Sequence, residues 1–183
     1  MKGLKIFFTA LLMLVCAPGI MADNNNGWGV ELSGRFRTGS KNDYNEKFSI
    51  IPTANYTFFV KSGYFVRPQA GLIISGAGQK DDRVKNKICP GLVFGAETGY
   101  KFGNPRGASV ELFAGFDWDV MFSRPYLQTN TKKVYTDYTL KPLCRVGFAL
   151  WMERVAIRAA YAYQMNKGGY GGTQWQFGVG YKF

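Results

Sequence analysis

The fold of this 183-residue chain is decided by its last nine residues, WQFGVGYKF (175–183). Large apolar side chains stand at every second position, and small or polar ones stand between them. Successive side chains of a β-strand point to opposite faces, so the stretch predicts a strand with one apolar and one polar face. The apolar face carries Trp175, Phe177, Val179, Tyr181 and Phe183.

Seven more segments show the same alternation. The eight runs cover residues 28–38, 49–61, 65–75, 88–102, 108–122, 139–152, 155–165 and 175–183. Each has at least about nine residues, the length that a tilted strand needs to cross a bilayer. No segment after residue 22 has the period of a long amphipathic helix. The sequence therefore predicts an all-β domain of eight strands.

The connections between these runs alternate in length. Three are short, at 61–63, 103–107 and 151–154, and four are longer or glycine-rich, at 39–47, 76–87, 123–137 and 166–172. Strict alternation of this kind is typical of an antiparallel up-and-down transmembrane β-barrel with short periplasmic turns and longer extracellular loops. Both chain termini are then expected on the periplasmic side.

The amino terminus has the layout of a secretory signal peptide. Lys2 and Lys5 precede an apolar stretch that is too short to span a bilayer as a helix, and Pro18-Gly19 follows it. A lipoprotein signal would need a small residue before Cys16, where Val15 stands. We therefore predict a signal peptide at 1–22 and a β-barrel domain at 23–183. Removal of the two lysines takes the formal net charge from +11 to +9.

A soluble, lipocalin-like barrel would show the same period, with its apolar face turned inward. Two features favour a membrane barrel instead. The polar face is rich in glycine, as the crowded interior of a narrow eight-stranded barrel requires. Aromatic residues also gather near both strand ends, where membrane barrels carry interfacial belts. Near the short turns these residues are Trp28, Tyr64, Phe65, Tyr100, Phe102, Trp151, Tyr181 and Phe183; near the loops they are Tyr44, Phe48, Trp118, Phe122, Tyr126, Tyr163 and Trp175.

The alternation, the loop pattern and the terminal aromatic strand resemble the small eight-stranded barrel families of bacterial outer membranes. These include outer-membrane protein X, the opacity adhesins and the membrane domain of outer-membrane protein A. The resemblance covers residues 27–183 and implies a protein of the outer membrane of a Gram-negative bacterium. It also implies that Val179, Tyr181 and Phe183 form the signal by which the barrel assembly machinery recognises the chain.

Four prolines lie inside the predicted strands: Pro52, Pro68, Pro90 and Pro142. Proline cannot donate to a strand ladder, and a closed barrel has no edge at which the missing donor is harmless. Bulges or strand ends are therefore expected at these positions.

Charged residues on the polar face are predicted to meet in the lumen. Counted from the short turns, Arg67, Glu97, Glu111 and Arg158 lie at similar depth, and Arg35 and Arg145 lie close above them. Ions in so narrow an interior have to pair, so a mixed cluster would plug the lumen. Asp117 and Asp119 are interpreted as lumen charges near Lys141 and Arg145 rather than as a catalytic pair. Cys89 and Cys144 fall on opposite faces, which disfavours a disulfide.

Several classes of function are disfavoured by composition. The chain contains no histidine, so a histidine-based triad or dyad is excluded. We expect no enzymatic activity, no cofactor, no metal site and no nucleic-acid partner. Two hypotheses remain: a structural or adhesive surface protein that works through its loops, and a narrow, porin-like channel for small or hydrophobic solutes.

The long loops are rich in cations, namely Lys80, Arg83, Lys85, Lys87, Lys132 and Lys133. In the predicted topology they face the outer leaflet, so outer-membrane lipids and the phosphates of lipopolysaccharide are the expected partners. A host or other extracellular ligand would also bind here. The competing interpretation is that these charges only keep the loops solvated.

Overall fold

A computed structural model describes residues 26–38, 48–61, 63–76, 88–104, 107–127, 134–165 and 172–183. They form eight antiparallel strands in one closed barrel, with each strand hydrogen-bonded to its neighbours in chain order. The strands are β1 (Gly27–Thr38), β2 (Phe48–Lys61), β3 (Tyr64–Gly76), β4 (Ile88–Gly103), β5 (Ala108–Leu127), β6 (Val134–Met152), β7 (Val155–Gln164) and β8 (Gly172–Lys182). No helix in these ranges has the length and apolarity needed to cross a membrane.

The last strand closes the barrel. β8 pairs with β7 on one side and with β1 on the other, in an unbroken ladder from Gly29 opposite Lys182 to Thr38 opposite Thr173. The backbone N–H of Phe183 adds a hydrogen bond to the carbonyl of Trp28 at 3.0 Å. Closure therefore leaves neither β1 nor β8 with an unpaired edge.

The apolar face of the strands points outward. Leu32, Val146 and Val179 are more than half exposed, whereas Glu97 and Glu111 are almost completely buried. This is the reverse of a soluble barrel, so the lipocalin-like alternative is wrong. Two aromatic residues that the sequence assigned to the outer belts, Phe65 and Trp151, are instead buried inside the barrel. The alternation of inward and outward side chains continues to the strand ends, and both residues fall at inward positions.

The third long connection is shorter than the sequence predicts. After a register shift between Met121 and Arg124, the β5–β6 ladder resumes from Arg124 opposite Asp137 to Leu127 opposite Val134. Most of the segment 123–137, predicted as loop, is therefore a continuation of the hairpin. A register shift of this kind breaks the period of two in the sequence, so the predicted run ends at residue 122.

All four prolines lie within strands, and no register shift accompanies any of them. The β2–β3 ladder lacks pairs at Pro52 and at Pro68, yet the pairs on either side keep one register. Pro90 is the third residue of β4 and Pro142 is opposite Trp118 in an unbroken stretch. The expected bulges are thus absent at these positions, and local loss of pairing replaces them at the first two prolines.

We predict that Gly95→Ala lowers the free energy of unfolding by about 1–3 kcal/mol, because the inner face has no room for a methyl group there. A Cβ atom on Gly95 would lie 2.2 Å from both the Phe116 carbonyl oxygen and Asp117 Oδ1. Gly180→Ala is the matched control, since its Cβ would meet nothing closer than 3.7 Å. Urea unfolding of the folded barrel in lipid vesicles measures both. Equal stability of the two variants would show that the interior is not crowded at Gly95.

Candidate functional site

The lumen brings polar side chains of all eight strands together, because each strand turns every second residue inward. Strand register then decides which of them meet. Arg67 of β3 stands directly opposite Glu97 of β4, and Glu97 is separated from Arg145 of β6 only by Gly115 of β5. Ions of opposite sign are thus placed on adjacent or next-adjacent strands at one depth.

Glu97 is the centre of this arrangement. Its Oε1 accepts hydrogen bonds from Arg67 Nη1 and Arg158 Nη2, both at 2.6 Å. Its Oε2 accepts one from Arg145 Nη2 at 3.0 Å. The side chain of Glu97 is completely buried. One carboxylate therefore holds three arginines that come from strands around the barrel.

Three further carboxylates extend the network. Arg67 Nη2 donates to both oxygens of Glu111, at 3.0 and 2.9 Å, and Arg158 Nη1 donates to Glu31. Arg145 Nε lies 3.2 Å from Asp117 Oδ2, an ion pair rather than a well-aligned hydrogen bond. Residues Glu31, Arg67, Glu97, Glu111, Asp117, Arg145 and Arg158 are called the central network below.

Small residues make these contacts possible. Glu97 and Arg145 meet across Gly115, where an added Cβ would approach both side chains at 3.1 Å. Arg158 and Glu31 meet beside Gly178, where a Cβ would lie 2.8 Å from Glu31 Oε1. The glycine-rich inner face thus leaves the space that long charged side chains need to reach across a strand.

Aromatic rings cover the central network on the side of the short turns. The guanidinium of Arg158 lies 4.3 Å from the ring centre of Phe113, and that of Arg67 lies 4.6 Å from that of Phe65. Phe59, Phe65, Phe113 and Ala160 form one buried apolar cluster. The arginines, which are almost completely buried, therefore combine ion pairing with cation–π contact.

A second set of charges lies nearer the loops. Arg35 Nη1 donates to Asp119 Oδ2 at 2.5 Å, and Lys141 stands opposite Asp119 in the β5–β6 ladder. Arg37 donates to Gln164, which also accepts from Gln174 Nε2 at 3.0 Å. The structure thus places all six predicted lumen residues inside the barrel. Arg35 belongs to this outer layer, and the other five to the central network.

The predicted cluster included neither Glu31 nor Asp117, although Asp117 was interpreted from the sequence as a lumen charge near Lys141 and Arg145. Among the described residues, the buried charges comprise five acids and five bases: Glu31, Glu97, Glu111, Asp117 and Asp119 against Arg35, Arg67, Lys141, Arg145 and Arg158. Buried charges have to pair, so a search for equal numbers of inward-facing acids and bases along the strands would have extended the predicted set.

The structure describes the predicted assembly signal and the two cysteines, but not the loop cations. Val179, Tyr181 and Phe183 all point outward, and Phe183 is 69% exposed. The loop cations Lys80, Arg83, Lys85, Lys87, Lys132 and Lys133 lie outside the described residues. Cys89 is buried and Cys144 is exposed, and no disulfide joins the two, in keeping with their opposite faces. Within the described ranges, no group of side chains is suited to hold a metal ion.

We predict that Glu97→Gln lowers the free energy of unfolding by about 3–5 kcal/mol, because three buried arginines lose their shared counter-charge. Glu111→Gln removes the charge that pairs with Arg67 and should lower the free energy of unfolding by a smaller amount. Glu153→Gln in the exposed β6–β7 turn is the control and should change stability by no more than about 0.5 kcal/mol. Urea unfolding in vesicles would contradict the central role of Glu97 if all three variants unfolded at the wild-type midpoint.

Comparisons with known proteins agree with this architecture. Residues 7–183 match the family model of the outer membrane protein beta-barrel domain. The N-terminal β-barrel domain of Pseudomonas aeruginosa OprF is a similar solved structure, with 14% identity over 87% of this chain and 98% of that one and a TM-score of 0.53. Neisserial surface protein A is similar at 13% identity over 87% and 98% of the two chains, with a TM-score of 0.52.

At these identities the two structures show the fold alone. No curated protein sequence matches the chain. The family match, by contrast, covers nearly the whole chain, and the closed eight-stranded barrel with its apolar exterior agrees with it. The chain therefore belongs to the family of outer membrane β-barrel domains and is an integral protein of the outer membrane of a Gram-negative bacterium.

Proposed function

We propose that this protein is a non-enzymatic surface-interaction protein, of an adhesion or envelope-integrity type, in which the barrel is the anchor and the external loops make the contacts. The central network supports the proposal. Glu97 and its three arginines extend across the interior from β3, β4, β6 and β7, and their side chains are almost completely buried. A lumen filled in this way disfavours the narrow, porin-like channel.

The absence of histidine supports the non-enzymatic part of the proposal. Asp117 and Asp119 are paired carboxylates on the inner face of β5, but each is engaged by other lumen side chains. Asp117 accepts from Gln69 Nε2 at 2.7 Å, and Asp119 accepts from Arg35. Carboxylates tied into such contacts are structural counter-ions rather than free acids or bases.

The proposed partners at the loops are anionic groups of the outer leaflet, above all lipopolysaccharide phosphates. Lys80, Arg83, Lys85, Lys87, Lys132 and Lys133 belong to the second and third connections at the extracellular end. Cations beside phosphates form charge-assisted hydrogen bonds, and several together bind a disordered polyanion without a fixed geometry. A host or extracellular ligand of similar charge would bind the same loops.

Neutralising Lys80, Arg83, Lys85, Lys132 and Lys133 together to glutamine is expected to weaken binding of purified lipopolysaccharide by about tenfold or more at low ionic strength. Wild-type binding should also weaken when salt is raised, because exposed charges are screened. Lys101→Gln with Arg154→Gln is the control, because these cations lie at the opposite end of the barrel. Binding that is indifferent both to salt and to the five substitutions would mean that the loop cations only solvate the loops.

We propose further that Val179, Tyr181 and Phe183 form the signal for the barrel assembly machinery. All three side chains lie on the outer face of the closing strand, and the rings of Tyr181 and Phe183 stack edge to face with centres 5.4 Å apart. These residues are therefore accessible along the last strand before the barrel closes.

Deleting Phe183, or replacing it with aspartate, is expected to reduce the amount of heat-modifiable protein in the outer membrane several-fold, because the recognition signal loses its terminal ring. Phe36→Ala removes an outward-facing ring from the first strand and should leave the amount near that of wild type. Quantitative gels of membrane fractions measure both. Normal amounts of the Phe183 variants would refute the assembly role.

A further inference from the structure

An apolar groove of about 640 Å³ crosses the outer wall of the barrel over five neighbouring strands. Five outward side chains along it follow one row of ladder pairs from β7 through β8, β1 and β2 to β3. They are Val155, Tyr181, Val30, Ala54 and Ala70. The next row towards the extracellular end completes the groove with Val179, Leu32, Pro52 and Leu72. The groove is therefore a continuous apolar track, one to two side chains wide.

The groove exists because short side chains stand between aromatic ridges. At its centre Ala54 and Ala70 are direct cross-strand neighbours, so the wall carries only methyl groups there. Rings rise on both sides, as the pair Phe36 and Phe48, with centres 4.9 Å apart, and the pair Trp28 and Tyr56, with centres 5.1 Å apart. A flexible hydrocarbon chain fits such a track along its length, whereas a flat surface would give it contact on one side only.

The direction of the groove places it in one half of the bilayer. It starts at Val155, the first residue of β7 after a short turn, and reaches Ala70, the seventh residue of β3. Five strands spaced about 4.8 Å apart give the row a length of about 19 Å. Because the strands of such a barrel tilt by about 40°, a row at right angles to them climbs about 12 Å from the periplasmic end. Half of the hydrocarbon core is about 15 Å, so the groove faces the periplasmic leaflet.

A cation stands at the periplasmic mouth of the groove. Arg154 directly precedes Val155 in the β6–β7 turn and is exposed. Its backbone carbonyl accepts a hydrogen bond from the N–H of Lys182 at 2.9 Å, which ties the turn to the end of β8. A guanidinium forms charge-assisted, often bidentate hydrogen bonds with phosphate. The turn thus offers a phosphate-binding group at the level where the headgroups of the periplasmic leaflet lie.

We propose that this groove binds one phospholipid of the periplasmic leaflet, with an acyl chain along the track from Val155 to Ala70 and the phosphate at Arg154. In an outer membrane, phospholipid occupies this leaflet and lipopolysaccharide the other, so the position of the groove selects between the two. The inference depends on the outer-membrane location of the barrel and is independent of what the external loops bind.

The first test is mass spectrometry of the intact barrel, released from neutral detergent micelles that contain 1-palmitoyl-2-oleoyl-phosphatidylglycerol. Wild-type protein should retain one phospholipid. Ala54→Phe with Ala70→Phe fills the track and should reduce the retained fraction several-fold. Ala114→Phe is the matched control, because Ala114 is an exposed alanine of β5 on the opposite side of the barrel, and it should retain the lipid as wild type does. These variants leave the outward residues of the closing strand unchanged.

The role of the phosphate is tested in the same measurement. Arg154→Gln should reduce retention of phosphatidylglycerol several-fold and Arg154→Lys should restore part of it, whereas Lys101→Gln, at the same end of the barrel, should have no effect. Diacylglycerol with the same chains should bind more weakly and be indifferent to Arg154→Gln. The proposal is overturned if the groove variant retains as much phospholipid as the Ala114→Phe control, if Arg154→Gln retains as much as wild type, or if lipid A displaces the phospholipid.

Photo-cross-linking of the wild-type barrel gives a second measurement that does not depend on folding of a variant. The barrel is placed in phosphatidylglycerol vesicles that contain a trace of the same lipid with a diazirine on its acyl chain. Labelling at Ala54 and Ala70 should exceed labelling at Ala114 several-fold. Even labelling around the barrel would mean unselective contact with bulk lipid and would overturn the proposal. Lipid-free dimers cross-linked through β1–β3 would overturn it as well, because a second copy would then occupy the groove.

Discussion

The rest of the structure depends on the contact between Glu97 and three arginines inside a barrel only eight strands wide. A carboxylate removed from water is costly unless opposite charges and hydrogen bonds replace its hydration. Arg67, Arg145 and Arg158 supply both to Glu97 at 2.6–3.0 Å. Each of these arginines also has a second counter-charge, which Glu111, Asp117 and Glu31 provide. The network extends outward from one buried charge, and among the described residues the buried acids and bases are equal in number, five of each.

The need to pair buried charges in a narrow lumen also determines which residue types occupy the inner and outer faces of the barrel wall. Long side chains can meet in so narrow a space only where their neighbours are small, and glycines occupy such positions at Gly115 and Gly178. Outside, the side chains have to suit hydrocarbon, so Leu32, Val146 and Phe177 are exposed without cost in a membrane. The proline-induced gaps in the β2–β3 ladder are tolerated because the register continues on both sides of each gap.

Much of this was accessible from the sequence, because barrel strands repeat with a period of two and the short turns set a common origin for depth. That period predicts the eight strands, the outward face and the inward phase of Arg67, Glu97 and Arg158. It could not predict the extension of the β5–β6 hairpin, since a register shift after Met121 breaks the alternation. Nor could it decide which arginine pairs with which carboxylate, because that choice depends on register across three strands and on the glycine between Glu97 and Arg145. Phe65 and Trp151 were misplaced because an aromatic residue near a turn is compatible with either face.

The central claim is that the buried ion pairs close the lumen, so that the barrel serves as an anchor rather than a passage. Ionic conductance of the purified wild-type barrel in planar lipid bilayers tests this most directly. The account predicts no steady open level above the baseline of the protein-free membrane over the range of potentials at which the bilayer is stable. Large, long-lived conductance steps from the unmodified protein would contradict it, because ions could not pass a lumen in which Glu97 and its arginines remain paired.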